Sequence, residues 1–176
     1  KIMPGIRKTW KNSAAIICGS HHTETEIPTS ARRKIIYIPE NAIDPDRFQN
    51  QDANTARYEA LNLCFIGRLV PYKGPDIAIE AAQGLLRSGA ASLTIIGDGP
   101  MMGELRALTQ RLGVESAVKF TGWVDHAQVP KVAHEQSVFL FPSVREFGGG
   151  AVIEAMALGL VPIVANYGGP GEIVVG

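Results

Sequence analysis

Apolar residues gather in seven short runs along this chain: Ala14–Cys18, Ile35–Ile38, Asn62–Ile66, Ser92–Ile96, Ala117–Phe120, Val138–Phe141 and Val161–Val164. Most are almost continuously apolar, which predicts strands covered on both faces. Longer stretches with a helical period lie between the later runs: Pro75–Leu86, Met101–Leu112, Ala127–Glu135 and Gly149–Leu158. In the first of these, Ile77, Ala81 and Leu85 recur at four-residue spacing and give one apolar stripe. Strand and helix in alternation predict an α/β domain of Rossmann-like, three-layer build, with a parallel sheet and right-handed crossovers.

Two segments break the pattern. Residues 19–33 (GSHHTETEIPTSARR) are polar and predict a loop. Residues 39–58 are polar, carry Pro39 and Pro45, and predict a linker. The chain therefore divides near residue 50. Residues 1–50 are expected to be the remnant of an N-terminal domain with its linker. Residues 51–176 are expected to form the Rossmann-like domain, its regular body starting at about 59 and its C-terminal end cut short. The start KIMPGIRKTW has no initiator Met and no signal-peptide pattern, so a longer protein is expected.

Charge narrows the function classes. Seventeen basic and seventeen acidic residues cancel, which gives no support for a nucleic-acid surface but leaves room for a local anion site. No apolar run is long enough to span a bilayer. Cys18 and Cys64 sit in apolar runs without metal-ligand spacing, as small core residues of a reducing, cytoplasmic setting.

Open α/β sheets bind ligands beyond the carboxyl ends of their strands. Read at those positions, the chain gives GRLVPYKG, GDGP, TGWVDH, PSVREFGGG and ANYGGPGE, all rich in glycine or charge. In REFGGGAVIEAMALG, Glu146 and Glu154 straddle Gly148, Gly149 and Gly150. A carboxylate in so apolar a helix must face water or a polar partner. The glycines let a ligand approach the backbone, and free amides at a helix start attract phosphate. Arg68 and Lys73 can add positive charge, and two glutamates beside an anion are best used accepting hydrogen bonds from hydroxyls. A nucleotide sugar, with ribose diol, diphosphate and sugar hydroxyls, would satisfy all of them. Taken singly, each feature has a plainer reading: a glutamate on a solvated helix face, loop charges, a simple turn at GDGP, surface histidines at His21, His22, His126 and His134, and Trp123 in the core or at a rim.

With these residues in place, a resemblance emerges. FIGRLVPYKGPDIAIEA, LTIIGDGPMMGELRALTQRLG and the run from VKFTGWVDH to ANYGGPGEIV resemble, in order, the donor-binding C-terminal domain of GT-B fold retaining glycosyltransferases of family 4 ("group 1"). The resemblance covers roughly residues 60–175, and IIYIPENAIDPDRF looks like the linker that enters that domain.

The resemblance implies transfer of a hexosyl group from a UDP- or GDP-type donor, with retention and without an obligatory metal or other cofactor. Arg68, Lys73 and Glu146 would be catalytic: the two cations neutralise the diphosphate, and Glu146 holds sugar hydroxyls. Donor binding would fall to Gly67, Gly97, Asp98, Gly99, Trp123, Val124, Ser143, Phe147, Gly148, Gly149, Gly150 and Glu154, with Glu154 on the ribose and the Trp123–Val124 backbone near the base. A glycan, lipid-linked or small-molecule acceptor would be held by an N-terminal domain outside this chain, which also leaves room for peripheral membrane contact. The fragment alone is expected to be inactive in transfer. Glu146 is followed by Phe147 where the family commonly has glycine, so the sugar-side loop is expected to differ in shape. A non-hydrolysing sugar-nucleotide epimerase and a non-catalytic nucleotide-binding module are the alternatives. A glycoside hydrolase pair is the least apt, because it would leave the glycines and both cations unexplained.

Overall fold

The computed structural model describes residues 4–39, 41–48, 61–146 and 148–174. Five strands form one parallel sheet: β3 (Leu61–Ile66), β4 (Ala91–Ile96), β5 (Val118–Gly122), β6 (Val138–Phe141) and β7 (Val161–Val164). Two shorter parallel strands, β1 (Ile16–Cys18) and β2 (Ile35–Tyr37), pair with each other in a sheet of their own among the described residues. The helices are α1 (Pro4–Asn12), α2 (His21–Glu26), α3 (Pro75–Arg87), α4 (Met102–Leu112), α5 (Val129–Ala133), α6 (Gly150–Ala157) and α7 (Gly168–Ile173). The expected Rossmann-like α/β architecture is present.

The strand order is β5-β4-β3-β6-β7. The chain runs outward from β3 to β5, returns to β6 beside β3, and runs outward again. The order of the strands thus reverses between β3 and β6, and ligands of open α/β sheets bind at the carboxyl ends beside such a switch point. One core lies on the α3–α4 side of the sheet, around Phe65, Ile79, Leu93, Ile95 and Leu105. A second lies on the α6 side, around Cys64, Phe139, Phe141 and Val152. Fully burying side chains of this size stabilises by about 1.5–3 kcal/mol each. Both cysteines are buried and free, and burial pushes the Cys64 thiol up to about 12.

Three expectations are corrected. On α3, Ile77, Ala81 and Leu85 face outward; the buried face is Ala78, Ile79, Ala82 and Leu86, where two alanines let the helix approach the sheet closely. Residues 19–33 are not simply a loop. They contain α2, capped by Ser20, whose hydroxyl accepts from the Thr23 amide. Strand β7 is covered on one side only, with Val161 and Ile163 exposed. Within the segment expected to be a linker, Phe48 is buried in the second core with Cys64, Phe139 and Phe141. The rest of the expected linker, residues 49–60, lies outside the described residues.

The N-terminal part docks on the last helix. Glu172 on α7 accepts from the first amides of α2, His21 at 2.8 Å and His22 at 2.6 Å. A carboxylate at a helix N-terminus is doubly favoured, by the orphan N–H groups and by the dipole. No helix among the described residues is long and apolar enough to cross a membrane.

Candidate nucleotide-sugar site

The loops after β3 and β4 are fused through their backbones. Gly67 donates to the Ile96 carbonyl, Leu69 to the Asp98 carbonyl, and Met101 to the Leu69 carbonyl. Gly97 has φ +140, and a Cβ there would run into the Gly67 carbonyl. Gly99 is pressed against the Leu69 backbone. Of the expected donor-binding glycines, Gly67 and Gly97 line a pocket while Gly99 serves this packing. The pocket has a volume of about 420 Å³ and is lined in part by Arg68, Asp98, Trp123 and Val124. Trp123 is 73% exposed at its rim, the rim position considered for it. Arg68 is exposed and makes no ion pair among the described residues.

A second junction joins the loops after β3 and β6. The Tyr72 carbonyl accepts from the Val144 amide at 3.0 Å and from the Ser143 hydroxyl at 3.2 Å. Ser143 is buried in this stitch. Gly74, at φ +69, lies so close that a Cβ would sit 2.9 Å from the Pro142 carbonyl. Above the stitch, Lys73 and Glu146 form a direct ion pair, each side chain 20% exposed. Lys73 Nζ also stands 5.1 Å from the centre of the Phe141 ring, a cation–π contact that fixes the ammonium over the second core.

Gly149 caps α6 in the left-handed conformation and supplies no side chain. The N–H groups of Gly148, Gly149 and Gly150 have no hydrogen-bond partner among the described residues. Gly148 lines a small cavity of about 90 Å³ that also touches Ser20, Tyr37 and Asn41, so this helix start opens toward the N-terminal part. Phe147 lies outside the described residues.

Glu154 stands about one turn into α6, and its side chain is 25% exposed. Its Oε1 lies 3.0 Å from His126 Nε2. His126 Nδ1 lies 3.2 Å from Arg47 Nη2, and the His126 ring tilts against Phe48 at 5.5 Å. Neither His126 nor Arg47 is among the expected site residues. His126 was visible in TGWVDH as a polar residue after a strand, but only the fold brings it to Glu154. Among the described residues no group of three or more His, Cys, Asp or Glu side chains could hold a metal ion.

The sequence profile described as "Glycosyl transferases group 1" matches residues 46–175. The chain belongs to this family. The group 1 family match takes in the whole five-stranded sheet and every expected site residue. Among curated relatives, the 2-deoxystreptamine glucosyltransferase of Streptomyces kanamyceticus is 29% identical over 90% of this chain and 43% of its own length. The structure of Alr3699/HepE from Anabaena in complex with UDP matches with a TM-score of 0.81 at 21% identity, over 97% of this chain and 50% of that one. The structure of a C-terminal domain of a glycosyl transferase group 1 family protein (LpcC) from Francisella tularensis matches with a TM-score of 0.66 at 22% identity, over 77% of this chain and 76% of that one. These likenesses are likenesses of fold, and the fold is that of GT-B glycosyltransferases. The chain spans less than half the length of the glucosyltransferase it matches.

Proposed function

We propose that this chain is the donor-binding, C-terminal domain of a retaining family 4 glycosyltransferase, acting within a longer protein. It takes a UDP- or GDP-type sugar, and the longer protein passes the sugar to a glycan, lipid-linked or small-molecule acceptor. The observation that carries this reading is the grouping at the sheet's switch point. The Lys73–Glu146 pair stands there just ahead of the α6 start, where the amides of Gly148–Gly150 have no partner among the described residues, and Glu154 lies one turn further along α6. A neighbour of the same fold binds UDP, which supports the nucleotide assignment.

In this reading the diphosphate lies at the α6 start, where amides and dipole favour negative charge. Arg68 and Lys73 supply positive charge. Lys73 exchanges its carboxylate partner for phosphate oxygens, and Glu146 is released to accept from sugar hydroxyls. As the bond to the anomeric carbon breaks, charge grows on the departing diphosphate, and these cations stabilise it where it develops. Glu154 accepts from the ribose diol. The acceptor must be held across the cleft by another domain, so this chain alone binds donor but transfers poorly. The reaction belongs to a cytoplasmic protein, one that can touch a membrane through its other domain.

Titration of UDP, GDP and ADP into the chain, followed by amide chemical shifts, tests the site. Shifts in Gly148–Gly150 and Trp123–Val124 are expected with at least one of them. No response to any of the three at millimolar concentration overturns the reading.

A further inference from the structure

We propose that His126 is a positioning residue for Glu154, and that Arg47 sets its tautomer. This inference rests on the donor-site reading above. The Arg47 guanidinium has only N–H groups to offer, so its 3.2 Å contact with His126 Nδ1 requires Nδ1 to accept. The ring proton then sits on Nε2, which faces Glu154 Oε1 at 3.0 Å and donates to it. A carboxylate held at one oxygen keeps the other for a ligand, and its plane is fixed by the held atom. Glu154 is thus turned to present Oε2 to a diol.

The three residues come from three parts of the chain. Arg47 lies in the segment that enters the sheet domain, His126 follows β5, and Glu154 is on α6. Phe48, buried beside Phe139 and Phe141 in the second core, anchors the segment that carries Arg47. Arg47 also stacks its guanidinium 5.8 Å from the Phe48 ring, which holds it on the His126 side. A segment expected to serve only as linker therefore reaches the ribose end of the site through one imidazole. Any displacement of residues 41–48 would be felt first as a change in how Glu154 is aimed.

Two measurements on the intact chain test this. Nitrogen chemical shifts of the His126 ring should report a proton on Nε2 and none on Nδ1, with that preference lost in R47A. A Nδ1–H tautomer, or a ring unchanged in R47A, overturns the proposal whatever the chain binds. The second measurement compares UDP with its analogue lacking both ribose hydroxyls. H126A should weaken UDP about fivefold to tenfold and leave the analogue nearly unchanged. H126Q, whose amide can still donate to Glu154, should recover most of the loss. H126A should add little to the loss already caused by E154A. Equal weakening of UDP and the analogue, or no recovery in H126Q, overturns His126 as a positioning residue while leaving the donor site standing. Absence of UDP, GDP and ADP binding by the unsubstituted chain overturns both.

Discussion

The two glutamates of the site are eight positions apart in sequence and live in different chemistry. Glu146 faces a lysine over an aromatic ring, above loops sewn together by the Tyr72 carbonyl. Glu154 faces an imidazole that is 57% exposed and backed by an arginine. The first end concentrates charge in a half-buried place where Coulomb interactions are strong. The second holds a carboxylate in a chosen orientation near water. On the proposed reading, the contrast separates two tasks: stabilising a charge that appears during reaction, and recognising the ribose hydroxyls.

Each end rests on a glycine with no room for a side chain, and replacing it should produce the largest effect. Gly97 supports the pocket of Arg68 and Trp123; a Cβ there strikes the Gly67 backbone at a strained φ. Gly74, at φ +69, supports the Lys73 end, but there a Cβ would stand 2.9 Å from the Pro142 carbonyl, a milder clash than at Gly97. G97A should therefore destabilise by about 3 kcal/mol or more and G74A by about 1–2 kcal/mol. Urea unfolding checks both. If G74A proves the costlier, the β3–β6 junction is the stiffer of the two.

The next effect divides the ends by function. K73A removes a cation from the proposed phosphate site and leaves Glu146 without its partner. UDP affinity should fall by about 2–3 kcal/mol, roughly 30- to 150-fold. The salt dependence of binding should fall with it. E154A should weaken UDP by about 1.5 kcal/mol, roughly tenfold, with the salt dependence intact. Isothermal titration at two ionic strengths separates the cases. Equal salt dependence in both variants would erase the distinction between a charge end and a hydroxyl end.

Much of this could be read from the chain. β6 and β7 fall residue for residue where continuous apolar runs placed them, because strands within a parallel sheet have few polar positions to confuse the pattern. The five loops after the sheet strands follow directly from that. The phase of α3 did not follow, since a four-residue spacing fixes a stripe but not which of two neighbouring stripes meets the sheet. Helix α2 was hidden because none of its residues is buried; its end is held by Glu172, some 150 positions away. Arg47 and His126 were hidden for a similar reason. Their meaning lies in a contact between segments 79 positions apart, which no local spacing announces.

Ser143 gives the smallest effect and the finest test. The resemblance to family 4 assigns it to the donor, but its hydroxyl donates to the Tyr72 carbonyl and the residue is fully buried. A hydroxyl spent on that carbonyl holds the loops after β3 and β6 at the spacing that lets Lys73 reach Glu146. S143A should then cost about 1 kcal/mol of stability and change UDP affinity by less than about twofold, a shift of under ~0.4 kcal/mol. The same substitution in a K73A background should have the same effect on stability, because the stitch lies beneath the ion pair rather than within it. A loss of UDP affinity several times larger, with stability unmoved, would return Ser143 to direct contact with the donor and extend the charge end downward into the junction.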